Sequence, residues 1–87
     1  MNLDIYTLDY CPYCRAALEF FKEHKINYHQ IRIDDNEEEM LKKLANMFNI
    51  KGEATVPQII LDGVRIGGYD DMMKQYKEGM LKFPNMS

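Results

Sequence analysis

The sequence has no excess of positive charge, no long hydrophobic run and only two cysteines, and each absence excludes a class of protein. The chain has 14 Asp and Glu residues and 11 Lys and Arg residues, which gives a formal net charge of −3. With no basic stripe, the chain has no electrostatic basis for binding nucleic acid. No apolar stretch approaches the roughly 20 residues that span a bilayer. We therefore expect partners that are neither nucleic acids nor membranes.

The first residues and the scarcity of cysteine bear on the compartment. The start, MNLDIYTLDY, has no basic segment and carries Asp4 where a signal peptide would be apolar. We therefore expect a cytoplasmic protein, in surroundings that keep thiols reduced. A single C-x-x-C in such a protein favours redox or metal chemistry over a structural disulfide, because closing so short a loop removes little entropy from the unfolded chain.

The length and the hydrophobic pattern predict one α/β domain over residues 1–87. Strands are expected over 3–8, 28–33, 58–61 and 64–66, and helices over 12–25, around 40–48 and over 69–78. The order is βαβαββα, in which a right-handed crossover makes the first two strands parallel. Asp62-Gly63 is a two-residue hairpin signal that adds an antiparallel pair. We expect the tail, residues 82–87, to be frayed.

The two cysteines stand at the predicted start of the first helix, in the run DYCPYC. Pro12 suits the first helical position, so Cys11 becomes the N-cap and Cys14 the third helical residue. That spacing puts their Cα atoms about 5 Å apart, within the roughly 4.4–6.8 Å that a disulfide needs. The pair can therefore join and separate with little backbone movement, as a reversible redox pair requires.

The two thiols are not equivalent in this arrangement. The amide groups of the first helical turn and the helix dipole favour the thiolate of Cys11, and Arg15 adds a nearby positive charge. Cys14 shares a helix face with apolar residues and should be more buried. Cys11 is thus expected to attack a disulfide and Cys14 to resolve the product.

A zinc site is the alternative use of the cysteines, and the spacing argues against it. Zinc needs about four ligands, and only His24 and His29 could join the thiols. The gap between Cys14 and His24 is nine residues, shorter than the usual roughly 12–15. We therefore predict no metal, and we interpret the acidic run DDNEEE at 34–39 as the solvated start of a helix.

Three motifs together resemble the glutaredoxin family. They are C-P-Y-C after the first strand, T-V-P before the third strand, and G-G-Y-D-D at the last helix, in order and over nearly the whole chain. The resemblance implies a thioredoxin-like fold with a four-stranded mixed sheet flanked by helices. It also implies a glutathione-dependent thiol–disulfide oxidoreductase with no bound cofactor, for which glutathione is a cosubstrate.

The resemblance also assigns roles to individual residues. Cys11 resembles the nucleophile, Cys14 the resolving cysteine, and Tyr13 the ring beside the glutathione sulfur. The loop that resembles the family's cis-proline loop, with the cysteinyl backbone of glutathione paired at its middle residue, is Thr55-Val56-Pro57. The residues that resemble the binding stretch for the γ-glutamyl end are Gly68, Tyr69, Asp70 and Asp71. A simpler interpretation of the two aspartates is helix capping.

The chain departs from the family where cations hold the glycine carboxylate of glutathione. Many members have a lysine where this chain has Leu8, and an arginine near the position of Glu53 and Ala54. We hypothesise that Lys51, or Asn49 by hydrogen bonding, substitutes in part.

The resemblance leaves the reductant and the partner open. We expect a monomer that reduces disulfide-containing or glutathionylated proteins. One alternative is an electron donor to ribonucleotide reductase that is itself reduced by thioredoxin reductase. A second is a module that binds an iron–sulfur cluster through the first cysteine and glutathione, although Pro12 is less typical of that role.

Overall fold

A computed structural model describes residues 2–83, which form one four-stranded sheet and three α-helices. The strands are β1 (Leu3–Thr7), β2 (His29–Arg32), β3 (Gln58–Leu61) and β4 (Val64–Gly67), and the helices are α1 (Pro12–Glu23), α2 (Glu37–Met47) and α3 (Tyr69–Lys77). A 3₁₀ turn at Asp34–Asn36 leads into α2. The strand order is β2-β1-β3-β4, with β1 and β2 parallel and the other pairs antiparallel. The predicted βαβαββα order and mixed sheet are confirmed.

Local sequence accounts for the hairpin and for the start of α1. Asp62 and Gly63 both have positive φ, 51° and 82°, as the two-residue turn between β3 and β4 requires. Pro12 occupies the first turn of α1, and Cys11 before it has an extended backbone and acts as N-cap. The sequence therefore directs the cysteine pair to a helix N-terminus.

The buried side chains form two clusters. The first, called the aromatic cluster here, consists of Leu3, Ile5, Ala17, Phe20, Phe21, Ile26, Ile59, Met72 and Phe83. The second, called the thiol cluster, consists of Leu8, Cys11, Cys14 and Ile33, with Tyr6, Ile31, Met40, Leu41 and Val56 packed against it. Alternation along β1 separates them, because Ile5 belongs to the first and Tyr6 to the second. Helix α1 contributes to both clusters.

The structure corrects the prediction for the chain end. Phe83 was expected in a frayed tail, yet it is 1% exposed in the aromatic cluster. Its ring centroid lies 5.9 Å from that of Phe20 and 5.7 Å from that of Phe21. The burial of a large aromatic side chain outweighs the entropy of ordering the segment after α3. The rest of the predicted tail, residues 84–87, lies outside the described residues.

Smaller differences concern element ends. Helix α1 ends at Glu23, and His24 closes it with a backbone N–H bond to the Phe20 carbonyl. Gly67, expected to break β4, is its last residue and has a φ of 121°. Within residues 2–83, no helix combines the length and the apolarity that crossing a membrane requires.

Candidate active site

Cys11 lies where α1, β1 and the loop before β3 meet. Its Sγ accepts a hydrogen bond from the Cys14 N–H at 3.2 Å and donates one to the Val56 carbonyl oxygen at 3.5 Å. Both cysteines are free thiols, with Cys11 8% and Cys14 1% exposed. The predicted N-cap position of Cys11 and the greater burial of Cys14 are confirmed.

Electrostatics separate the two thiols further. Burial, followed by the hydrogen bond to the Cys11 side chain, raises the pKa of Cys14 to about 12. Cys14 is therefore a protonated thiol at neutral pH, whereas Cys11 has the amide donor of the first helical turn against its sulfur. This asymmetry suits an attacking Cys11 and a resolving Cys14.

A network that the sequence analysis missed holds the loop before Cys11. The Asp9 carboxylate contacts the Arg32 guanidinium, and the Asp9 N–H donates to Asp34 Oδ2 at 2.9 Å. The Tyr10 hydroxyl donates to Glu37 Oε1 at 2.7 Å, which raises the pKa of Tyr10. Exposed pairs of this kind contribute little stability individually. Together they tie the loop to the end of β2 and the start of α2.

The helix adjoining this loop supplies one more contact. The Arg15 guanidinium donates to the Asp9 carbonyl at 3.4 Å. The charge predicted near Cys11 is therefore directed at the loop backbone. No signal in the sequence identifies these contacts, because Asp9 and Arg32 are 23 residues apart.

An open pocket of about 180 Å³ adjoins Cys11. Its lining consists of Tyr13, Thr55, Val56, Pro57, Gly68, Tyr69, Asp70 and Asp71. These are all the predicted site residues other than the cysteines, so the structure brings the three motifs together. The Val56–Pro57 peptide bond is cis, and the rings of Tyr13 and Tyr69 lie 6.3 Å apart between centroids.

The start of α3 forms one wall of this pocket. Asp71 Oδ2 accepts a hydrogen bond from the Gly68 N–H at 3.2 Å, so Asp71 caps the helix. Gly67 has a φ of 121°, which L side chains rarely adopt, and a Cβ atom there would also lie 2.5 Å from that carboxylate oxygen, so this position favours glycine. The Asp70 residue is exposed. Both aspartates are exposed and line the pocket, and Asp71 in addition caps the helix.

A larger groove of about 670 Å³ is lined by α2 and by the residues just before the same loop. Its lining consists of Glu37, Glu38, Leu41, Lys42, Ala45, Asn46, Gly52, Glu53 and Ala54. Neither Lys51 nor Asn49 is among the residues that line the groove or the pocket beside Cys11. Leu8 is buried in the thiol cluster. The cation in the groove lining is Lys42, which the sequence analysis missed.

Gln58 is a second residue that the sequence analysis missed. Its side chain, 2% exposed, donates through Nε2 to the Thr55 carbonyl at 2.8 Å and accepts at Oε1 from Arg65 Nε at 2.9 Å. The available signal was a polar residue at the head of the apolar strand QIIL, directly after T-V-P. Gln58 therefore connects β4 to the loop beside Cys11.

The histidines lie apart from the thiols. His24 Nδ1 is 2.9 Å from the Phe20 carbonyl oxygen, and its ring packs against that of Phe20 at a tilt of 32°, with centroids 4.2 Å apart. His29 pairs with Asp4 at 3.5 Å. Across residues 2–83, no three His, Cys, Asp or Glu side chains are grouped as metal ligands.

A pair of reduced cysteines at a helix N-terminus, beside a cis-proline loop on this sheet, defines a thiol–disulfide oxidoreductase of thioredoxin-like fold. A family model described as Glutaredoxin matches residues 3–66, and the chain belongs to the glutaredoxin family. It is therefore a glutaredoxin-type disulfide oxidoreductase.

Curated relatives and solved structures agree with this assignment. Glutaredoxin 3 of Escherichia coli K12 is 38% identical over 74 residues, 82% of this chain and 81% of that protein. Glutaredoxin 1 of Rickettsia bellii is 35% identical over 77 residues, 88% of this chain and 79% of that one. Glutaredoxin 1 of Francisella tularensis, complexed with cacodylate, superposes with a TM-score of 0.79 at 28% identity, over 93% of this chain and 98% of that chain. The buckwheat glutaredoxin–glutathione complex superposes with a TM-score of 0.78 at 27% identity, over 91% of this chain and 71% of that chain.

Proposed function

We propose that this glutaredoxin uses glutathione as cosubstrate to reduce protein disulfides and glutathione mixed disulfides, as a monomer in the cytoplasm. The observation that carries the proposal is the convergence of all eight predicted glutathione-contacting residues on one pocket beside Cys11. The structural likeness to a buckwheat glutaredoxin in complex with glutathione supports it.

Glutathione binds in the pocket by its backbone and its γ-glutamyl end. Val56 precedes a proline and so favours an extended backbone, which pairs with the cysteinyl residue of glutathione as one strand pairs with another. The Tyr13 ring flanks the sulfur. The amide groups at the start of α3 bind the γ-glutamyl carboxylate, and the exposed carboxylate of Asp70 takes its ammonium group.

The first chemical step belongs to Cys11. Its thiolate attacks one sulfur of the substrate disulfide, the substrate S–S bond breaks, and the departing thiolate takes a proton. Cys11 is then joined to the substrate in a mixed disulfide. Positioning beside the Val56 backbone, whose carbonyl accepts from Cys11 Sγ while the thiol is protonated, supplies the alignment for the exchange.

Two routes complete the cycle. Cys14 displaces the substrate thiol and forms a Cys11–Cys14 disulfide, which two glutathione molecules reduce to the dithiol while forming glutathione disulfide. For a glutathionylated substrate, a second glutathione resolves the Cys11 adduct directly. The high pKa of Cys14, about 12, keeps its thiolate scarce and favours the second route where glutathione is abundant.

The proposal is tested by glutathione-coupled reduction of a mixed disulfide with wild type, Cys11→Ser and Cys14→Ser. Cys11→Ser should be inactive, and Cys14→Ser should keep activity on glutathionylated substrates while losing it on internal protein disulfides. The reverse pattern would overturn the assignment of the two roles.

A second candidate has the same chemistry with another reductant, namely a donor to ribonucleotide reductase that is reduced by thioredoxin reductase. It is favoured by the acidic groove, where Glu37, Glu38 and Glu53 accompany a single lysine, Lys42. Glu53 stands near the position where many family members have an arginine for the glycine carboxylate of glutathione, so the negative charge here disfavours that carboxylate. Comparing the rates at which glutathione and thioredoxin reductase with NADPH reduce the oxidised protein distinguishes the two candidates.

A further inference from the structure

Gln58 is a buried polar side chain whose amide can adopt only one orientation. A guanidinium can only donate hydrogen bonds and a carbonyl can only accept them. Oε1 must therefore face Arg65, at 2.9 Å, and Nε2 must face the Thr55 carbonyl, at 2.8 Å. Because Arg65 is charged, its hydrogen bond polarises the Gln58 amide and strengthens the bond that Gln58 Nε2 donates to the Thr55 carbonyl. The Thr55 carbonyl is thus held by a defined relay that begins on β4.

Holding that carbonyl also orients the next amide. The Thr55–Val56 peptide bond is trans, so the Thr55 C=O and the Val56 N–H point in opposite directions. Because the carbonyl is directed at the buried Gln58, the Val56 N–H is directed away from it. Within residues 2–83, none of the hydrogen bonds uses this N–H as donor.

The Val56 carbonyl supports the same orientation. Val56 precedes a proline, which favours an extended backbone. In an extended residue the N–H and the C=O point to the same side, as they do when a residue exchanges both bonds with a partner strand. The Val56 carbonyl accepts from Cys11 Sγ at 3.5 Å, and Val56 lines the pocket. Its N–H is therefore presented on the side of the reactive sulfur.

We propose that Gln58, supported by Arg65, is a positioning residue for disulfide exchange, which aims the Val56 N–H at the backbone of the substrate half-cystine. It acts through Thr55 and touches neither the substrate nor the reacting sulfurs. The inference rests on the backbone pairing at Val56 that the proposed function includes.

The substitution Gln58→Glu isolates the decisive bond. The introduced carboxylate has nearly the same shape and still accepts from Arg65, but it cannot donate to the Thr55 carbonyl. Two disulfides are compared as oxidants of the reduced protein, in single-turnover experiments without added glutathione: a cysteinyl peptide in mixed disulfide with glutathione, and bis(2-hydroxyethyl) disulfide, which has no peptide backbone. We expect the second-order rate constant for the peptide to fall about tenfold, and that for the small disulfide to change less than about twofold.

Two further variants control the experiment. Gln30→Glu is the same substitution on β2, where Gln30 donates to Thr7 Oγ1 at 3.0 Å, and it should leave both rates unchanged. Arg65→Met keeps the donor on Gln58 and removes only its support, so it should give the same pattern with an about two- to threefold loss. This variant tests the relay even if Gln58→Glu does not fold, which circular dichroism would reveal.

The outcomes separate the relay from the function beneath it. Equal slowing with both substrates would mean that Gln58 acts on Cys11 or on the fold, and no slowing would mean that it positions nothing; either overturns the relay. For wild type, the reference is the rate at which free glutathione, in place of the protein, reacts with each of the two disulfides in solution. A wild type that gains nothing from the peptide backbone overturns the Val56 pairing and the relay together.

Discussion

The aromatic cluster and the thiol cluster lie on opposite faces of one sheet and differ in what fills them. The aromatic cluster packs rings from α1 and from the segment after α3, with Phe20, Phe21 and Phe83 mutually 5.7–6.2 Å apart between centroids. The thiol cluster has two sulfurs, Leu8 and Ile33 at its centre. One face buries large apolar surface, and the other keeps two sulfurs close together, with Cys11 8% and Cys14 1% exposed.

This difference assigns stability to one face and chemistry to the other. Buried aromatic side chains each remove roughly 150–250 Å² from water and dominate core energetics. The thiol cluster leaves Cys11 against a backbone amide and carbonyl, where its sulfur can be exchanged without opening the aromatic cluster. Changes in the aromatic cluster should therefore alter the free energy of unfolding, and changes in the thiol cluster should alter reactivity.

The largest expected effect on stability comes from Phe83→Ala. Removing a fully buried ring should lower the free energy of unfolding by about 3–5 kcal/mol, from lost burial and the cavity left behind. Urea unfolding measures this change, and the rate of Cys11 alkylation under native conditions should not change. Met80→Ala is the control, because Met80 is 72% exposed and its loss should cost less than about 0.5 kcal/mol. An equal effect of both variants would contradict the burial of Phe83 and would support the original prediction of a frayed tail.

Alkaline pH should give the next largest effect, through Cys14. Its pKa is about 12 in the folded protein, against about 8.5 in an unfolded chain. Between these values the unfolded state loses a proton that the folded state keeps, so stability is fully present below about pH 8.5 and falls as pH rises. The loss should reach about 2 kcal/mol by pH 10.

The matched variants for this titration are the two serine substitutions. Cys14→Ser should flatten the fall in unfolding free energy between pH 8 and 10, since a serine hydroxyl does not titrate there, whereas Cys11→Ser should retain it. Chemical denaturation at several pH values measures the slopes. Identical slopes for wild type and Cys14→Ser would show that Cys14 is not the group responsible.

Cys11→Ser should have a small effect on stability despite abolishing the chemistry. A serine hydroxyl can still accept the Cys14 N–H, and serine is a favoured N-cap, so the unfolding free energy should change by less than about 1 kcal/mol. Thermal and urea unfolding measure it. A loss of unfolding free energy as large as that of Phe83→Ala would contradict the inference that stability depends mainly on the aromatic cluster.

The smallest effect is expected from Lys51, which belongs to neither cluster. Lys51→Ala should raise the KM for glutathione by at most about twofold, because Lys51 lines neither pocket and an exposed charge acting on a carboxylate contributes little. Lys43→Ala, on the exposed side of α2, is the matched control. An unchanged KM would remove Lys51 from the site, in keeping with its absence from both pocket linings.

The parts of the site that could be predicted are those held within a few neighbouring residues. Cys11 as N-cap and the burial of Cys14 follow from Pro12 and from the spacing of apolar residues along one helix. The hairpin follows from Asp62-Gly63. The eight pocket residues were predicted through family resemblance, because nothing in their local sequence states that three separate motifs meet.

The parts that could not be predicted depend on partners far apart in the chain. The Asp9–Arg32 contact spans 23 residues, and Phe83 packs on rings more than 60 positions earlier. Phe83 follows the last helix and lies in no helix or strand, so hydrophobic periodicity gives no prediction of its burial. The Gln58 relay joins neighbours in sequence, but whether the amide is buried and which way it faces depend on β4.

By itself, the sequence determined the order of the elements and the helix start that carries the thiols, because capping, proline and hydrophobic periodicity act over one or two turns. The tertiary structure decided which thiol is desolvated, which backbone groups face the sulfur and which side chains close the core. Those outcomes depend on water exclusion and hydrogen-bond direction, and both arise only when distant segments of the chain pack together.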